Sequence, residues 1–198
     1  MNWALSVVTA PKSEPVTVSE AQLHLRVDGV DENALIARLI QSAREYCEPI
    51  ARRAFMPQTL MMSFSAWPAC ADRNYLELLR PPVQSVSNIK YYDSAGVLQT
   101  MTSSDYVADL VAAPPRIYLA DGVAWPSATL RAGLAIEVTY VAGYAKADVV
   151  PARYKQAMLL LIGHWYENRE QIVVAPGATS ATLRLAVESL LTSGRGMW

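Results

Sequence analysis

The amino-acid sequence predicts an α+β fold, in which a helical bundle framework carries an inserted antiparallel β module and a C-terminal tail helix. Three observations predict it. Apolar residues recur at a helical spacing of about 3.6 before residue 58. They alternate with a period of two from Thr59 to Tyr140, and the helical spacing returns after Pro151. The framework is therefore assigned to residues 1–58 and 150–198, with 182–198 as tail helix and C-terminal extension. The β module is assigned to residues 59–149.

The first helix opens at Thr17, which caps it. Glu20 stands three residues later, the spacing at which a side chain reaches back to the cap backbone. Ala21, Leu23, Leu25 and Val27 follow, and Asp28-Gly29 stops the helix. The second helix starts near Asp31. Leu35, Leu39, Ala43 and Tyr46 form an apolar stripe with Ile36, Ile40 and Cys47 beside them. Arg38, Gln41, Arg44, Glu45 and Glu48 lie mostly on the opposite side, and Pro49 ends or kinks the helix.

Within the module, Leu60, Met62 and Phe64 alternate with Met61, Ser63 and Ser65, and Ile136, Val138 and Tyr140 alternate with Glu137 and Thr139. Strands are also read at Tyr75–Leu78, Ser85–Tyr92, Tyr106–Val107 and Ile117–Leu119. Asp93-Ser94-Ala95-Gly96 turns a hairpin into a return strand at Val97–Thr100. Prolines 68, 81, 82, 114, 115 and 126 fall between these runs, where a meander needs corners. Pro151 opens the third helix, which runs to about Glu170 and is apolar all round from Leu159 to Ile162. A Gly/Pro/Ala/Ser loop over 172–181 leads to the tail helix, Thr182–Leu191, with Leu183, Ala186, Val187, Leu190 and Leu191 on one side.

The chain has 198 residues, enough to bury about 70% of its unfolded surface without a metal or disulfide staple. Hydrophobic residues make up 52% and charged residues 18%, against about 25% in ordinary domains. Disorder is excluded, and so sparsely charged a surface points to burial against partners. The net charge of −1 excludes a strongly basic nucleic-acid binder and an acidic tail protein. The segment 150–198 alone leans positive, with 5 basic against 3 acidic groups. Cys47 and Cys70 read as free thiols of a reducing compartment, although one disulfide between them remains open. The first 15 residues carry no basic leader, and no apolar run approaches the ~20 residues that span a bilayer. The sequence therefore reads as a soluble protein made in a cytoplasm.

No catalytic motif is present: the sequence has no GxSxG, HExxH, Walker A or GxGxxG pattern. His164 and Glu167 are three apart on a helix, but a lone pair at that spacing reads as structural rather than metal-binding. Asp28, Asp31 and Glu32 read as a helix-start signal. No catalytic residue, metal or cofactor is expected. The densest unusual stretch is His164-Trp165-Tyr166-Glu167-Asn168-Arg169, where aromatics interleave with polar groups as interface anchors do. The same residues can instead close the monomer core and cap the helix. The tail helix is similarly double-edged: it packs on its own domain or docks in a groove elsewhere.

Several segments together resemble the head-tail connector (adaptor) family of long-tailed phages, prophages and gene transfer agents. They are Pro15–Ala21 with His24–Val27, the helix from Asp31 to Tyr46, Leu79–Val86, Tyr140–Tyr144, Pro151 with Lys155–Ala157, and the block from His164 to Glu170. They span nearly the whole chain in the family's order. Cys47–Arg52 and Ser193-Gly194-Arg195 depart from the family's pattern.

The resemblance implies a non-enzymatic subunit of a ring, twelve copies matching the portal. Such a ring lies below the portal and extends the DNA channel between capsid and tail. The implied partners are other copies of the chain, the portal protein, the next neck or tail protein, and genomic DNA passing without sequence-specific binding. No membrane partner is implied. The chain would assemble in the host bacterial cytoplasm and end in the neck of the virion or phage-like particle. Within this scheme the block His164–Arg169 is an intersubunit or structural candidate. Leu183, Arg184, Val187, Leu190, Leu191, Arg195 and Trp198 are candidates for a portal-docking tail. The alternatives are another neck component, such as a head-completion or tail-terminator protein, and a small enzyme using the β module to bind substrate.

Overall fold

The computed structural model describes residues 2–68, 74–168 and 179–193, the side chains of 179–182 excepted. Among the described residues there are four α-helices and two antiparallel sheets, an α+β fold. The chain divides into two compact units: Met1–Lys12 with Pro57–Gly143, and Ser13–Met56 with Tyr144–Met197.

In the β unit, the larger sheet contains β1 (Trp3–Thr9), β2 (Gln58–Phe64), β4 (Val83–Tyr92), β5 (Leu98–Thr100) and β8 (Ile136–Ala142), in the order β1-β2-β8-β4-β5. The smaller contains β3 (Tyr75–Glu77), β6 (Tyr106–Asp109) and β7 (Arg116–Leu119), in the order β3-β7-β6. The alternation read from sequence is the alternation of burial. Leu60, Met62 and Phe64 of β2 and Ile136, Val138 and Tyr140 of β8 are buried, and the residues between them are half-exposed. Side chains on successive strand residues point to opposite faces, so one face of these central strands makes the core. Tyr140 is buried to its hydroxyl, which donates to the Leu79 carbonyl at 2.8 Å. Burial raises its phenol above the ordinary value. The hairpin at Asp93–Gly96 is present, with Asp93 Oδ1 accepting from the backbone of Ala95 and Val97.

β1 departs from the sequence reading, which places residues 3–9 with the helical framework. The structure pairs this strand with β2, from Trp3 opposite Phe64 to Val7 opposite Leu60. The pairing joins residues more than fifty apart, which no local period reveals.

The helical unit contains α1 (Val18–Leu25), α2 (Asn33–Ala51), α3 (Ala152–Glu167) and α4 (Thr179–Thr192). The capping box forms as the spacing predicts: Thr17 Oγ1 accepts from the Glu20 backbone at 3.1 Å, and Glu20 Oε2 accepts from the Thr17 backbone at 2.7 Å. α1 stops earlier than Gly29, at Arg26, which takes a left-handed φ of 56°. α2 also ends on a left-handed arginine, Arg52, at φ 53°. Pro49 neither ends nor interrupts it, for the helix runs two residues further to Ala51. Proline removes one ladder bond near an end. Arg52 and Arg53 close that end by donating to the Pro49 and Glu48 carbonyls at 3.2 and 3.1 Å, the two-bond closure of a left-handed cap.

The core of this unit draws Ile36, Ile40, Ala43, Cys47 and Ala51 from α2, and Tyr154, Ala157, Met158, Leu161 and Ile162 from α3. The buried stripe of α2 thus centres one residue beyond the Leu35–Leu39–Tyr46 line read from sequence, and Tyr46 is 42% exposed. Phe55 and Tyr154 stack with ring centroids 4.8 Å apart. Cys47 is a free, buried thiol pushed up to about 12 by desolvation and the nearby Glu48 charge. Cys70 lies outside the described residues.

A second departure concerns Arg44 and Glu48, which sequence places on the solvent side of α2. Both are buried. Arg44 Nε donates to Glu14 at 2.7 Å and its guanidinium lies 3.5 Å from Glu48; Glu48 Oε1 accepts from the Phe55 backbone at 2.8 Å. The segments just before α1 and just after α2 cover this end of the helix, so its polar side does not face water there. Desolvation raises the Glu14 carboxyl against the pull of Arg44.

Two outcomes follow for stability. Removing one member of a buried pair leaves its partners charged and uncompensated, so Arg44→Met lowers unfolding free energy by about 3–5 kcal/mol in urea titrations. Thr17→Ala removes the cap and costs about 1 kcal/mol. The Thr17 backbone N–H and, at 2.9 Å, the Thr17 hydroxyl donate to the Glu20 carboxyl and hold it below its ordinary 4.5; Thr17→Ala keeps the first bond and loses the second. A depressed folded pKa gives stability that is present above the unfolded value and lost as pH falls through the folded one. The gap between wild type and Thr17→Ala therefore narrows in acid.

Candidate functional site

The end of α3 is built by short-range contacts. The Asn168 side-chain amide donates to the His164 carbonyl at 2.8 Å and lies 3.3 Å from the His164 ring. His164 thus meets Asn168 rather than Glu167, which is exposed. Trp165 meets Tyr46 of α2 edge-on, at 6.2 Å and 90°. The Tyr166 hydroxyl donates to Glu32 at the start of α2. Four of the six block residues therefore tie α3 to α2 or cap its end, and Glu167 faces solvent. Arg169 lies outside the described residues. Further along α3, Gly163 admits the α1 side chain His24: a Cβ there would stand 3.4 Å from the imidazole.

α4 shows its apolar face already occupied. Val187 and Leu191 are buried in the helical core, and Leu183 and Leu190 pack against it from the side. Arg184 is exposed and pairs with Glu188 at 2.9 Å, one turn on. Ala186, grouped with the apolar side from sequence, is exposed, as is Leu185 at 66%. Arg195 and Trp198 lie outside the described residues.

The structure adds a surface that the sequence reading passes over. β1 is an edge strand, and nearly all of it is exposed: Trp3 by 57%, Val7 by 49% and Val8 by 55%. Directly opposed residues share a face of a sheet. Trp3, Leu5 and Val7 oppose Phe64, Met62 and Leu60, which are buried. The core face of the sheet thus continues onto β1 but is not covered there. The signal was available in Trp3-Ala4-Leu5-Ser6-Val7-Val8-Thr9, a run of strand-favouring residues weighed only as a possible leader.

Among the described residues no group of three His, Cys, Asp or Glu is placed to hold a metal ion, and no helix is long and apolar enough to cross a membrane. What these residues arrange is packing inside each unit and exposed edges outside.

No protein-family model and no curated protein matches the chain. Solved structures do. A chain in the neck of an empty gene transfer agent particle, computed with C6 symmetry, matches with a TM-score of 0.72 and 25% identity, over 94% of each chain. The chain has the fold of a gene transfer agent neck protein. A chain from the virion of a native gene transfer agent particle matches with a TM-score of 0.74 and 22% identity, covering 98% of this chain and 96% of that one. A third, from a native neck computed with C12 symmetry, matches with a TM-score of 0.70 and 23% identity over 94% of each. The head-tail connector resemblance carried by the sequence and these structural neighbours agree on one class, a structural component of the phage-type neck.

The two sides of α4 should respond differently to substitution. Leu191→Ala opens a cavity in the helical core and costs about 2–5 kcal/mol in denaturant unfolding. Leu185→Asp alters a solvent-facing position and stays within about 0.5 kcal/mol of wild type.

Proposed function

We propose that the chain is a head-tail connector (adaptor) subunit, twelve copies of which form a ring below the portal and extend the DNA channel toward the tail. The observation that carries this reading is the near-full-length fold match, at 25% identity, to a neck chain of a gene transfer agent particle. The six- and twelvefold symmetries of the neighbouring assemblies support a ring. A ring subunit needs two complementary faces, because head-to-tail contacts close only when the rotation per copy is right. Low charge and exposed apolar edges suit that demand. A conduit through which a genome passes should not hold DNA tightly, and a net charge of −1 is in keeping with this. The neighbours being structural neck proteins supports a non-enzymatic role.

The ring would assemble in the host cytoplasm, bind the portal above and the next neck or tail protein below, and remain in the particle. Contact between copies is weak in isolation and strengthened by the portal, so that free subunits do not compete with ordered assembly. The C-terminal segment from Thr182 remains the proposed portal-docking element. With Val187 and Leu191 in the core, docking would draw on Leu185, Arg184 and the residues after Ser193 rather than on the apolar face.

The test is deletion of the gene in its particle-producing host. Capsids that package DNA but carry no tails, restored by the wild-type gene, are the expected result. Tailed, transducing particles in its absence would overturn the reading. In the same host, Leu185→Asp and a chain ending at Ser193 should both fold and both lose portal-bearing capsids in co-sedimentation; retention by both would sink the docking role.

A further inference from the structure

The larger sheet has two open edges, and their strand senses are opposite. β1 pairs antiparallel with β2, β2 with β8, and β8 with β4, so β1 runs against β4. On the far edge β5 covers only Lys90, Tyr91 and Tyr92 of β4. Among the described residues, the first half of β4, residues 83–88, has no strand beside it on that side, and Gln84, Ser85 and Ser87 are exposed. On the near edge, Ser65 donates to the Asn2 carbonyl across β1 and β2. Antiparallel ladders alternate inward and outward residues. Ala4 and Ser6 therefore bond inward, and Trp3, Leu5 and Val7 turn their backbone N–H and C=O groups outward.

An exposed apolar edge strand is a template for pairing, which monomeric proteins blunt with lysine, proline or a covering element. The seven residues of β1 include no charge and no proline, its register shifts only after Val7, and among the described residues no strand lies on its outer side. Of its side chains on the core face, Trp3 and Val7 are exposed and Leu5 is half-buried, whereas their cross-strand neighbours are buried. Both deficits are met at once by a chain that adds a strand and brings its own apolar surface.

We infer that β1 of one copy adds, antiparallel, to the open half of β4 in the next copy, so that the ring is held by sheets continued from subunit to subunit. This rests on the ring reading above and names its interface. A rotation about an axis running along the strands preserves strand sense, so β1 of the neighbour meets β4 antiparallel without inversion. The contact is head-to-tail, uses two different edges of one sheet, and leaves each copy with one edge to give and one to receive. The occupant is a second copy of this chain: its own β4 edge supplies the opposite strand sense, and its fold neighbours stand in symmetric necks.

The full-length chain, in a Cys70→Ser background, tests this. Leu5→Pro removes an outward N–H that the β1–β2 ladder does not use, and Val7→Lys puts a charge on the uncovered face. Both should melt as wild type does, yet sediment as monomers at concentrations where wild type associates, with at least tenfold weaker association. Val83 and Val86 of β4 oppose the buried Ala142 and Tyr140 and so share the face of Val7; Val7→Cys mixed with Val86→Cys or Val83→Cys should form disulfide-linked pairs under mild oxidation, and none of the three variants should do so alone. If Leu5→Pro and Val7→Lys associate like wild type, the β1 interface is wrong while the ring reading stands. If wild type stays monomeric at every concentration reached, as a contact strengthened by the portal allows, the cysteine mixtures decide the interface, and their failure to cross-link overturns it while the ring reading stands. Linkage of Val7→Cys to itself would mean a closed two-fold pairing of β1 edges and would overturn the head-to-tail contact. Should either substitution unfold the chain, the cysteine mixtures decide alone, and their failure to cross-link overturns the proposal.

Discussion

The helical unit depends on one buried charge cluster. Arg44 and Glu48 sit one turn apart on α2, both out of water, with Glu14 on one side and the Phe55 backbone on the other. Each charge is costly to bury and is compensated only by the others. The cluster therefore specifies geometry more than it adds stability. It can be satisfied only if the chain arrives at Glu14 and leaves at Phe55 in the places observed. Glu14 lies just inside the start of the helical unit and Phe55 just before its first segment ends. The rest of that unit follows from this constraint. Val16 and Phe55, placed beside the pinned groups, fill the core with Tyr154 and Ile162 of α3.

The β unit is organised by a different economy. Its central strands alternate cleanly and need no buried charge, and Tyr140 anchors the middle of the sheet through a single hydroxyl bond to Leu79. Its edges are where it is unfinished. A solitary protein would protect such edges, because unpaired backbone groups invite other strands. A subunit of a symmetric assembly has reason to keep them. The proposed ring would account in the same way for the low charge of the whole chain: charges cost desolvation when faces meet, so surfaces that meet tend to lack them.

The two units therefore divide the work that the resemblance to neck proteins implies. The helical unit uses its aromatic block inwardly. Trp165 and Tyr166 tie α3 to α2, and α4 closes over the same core with Val187 and Leu191. The candidate intersubunit block thus has internal partners for most of its residues. The β1 edge and the outer side of α4 are among the places where apolar side chains stay exposed.

Local features were legible in the sequence. Thr17 and Glu20 announced their capping box because both partners lie within one turn. The alternations of β2 and β8 announced a half-buried sheet because a strand's faces follow every second residue. The helix, sheet, helix order of the α+β fold came from the same periods. The chemistry-bearing and interface residues were less legible. Arg44 and Glu48 looked solvated because helical periodicity marks the face opposite the core and cannot show that another segment covers it. Pro49 looked like a terminator because propensity weighs a proline without knowing how few turns remain to be broken. β1 was grouped with the helical framework because its partner, β2, lies some fifty residues away. By itself, then, the sequence determined which residues alternate, cap and turn, since those are interactions within a few residues. Only the tertiary structure decided which polar groups are buried, which strand stands at the edge, and which apolar face is left uncovered, because each of these depends on segments distant in the chain being brought side by side.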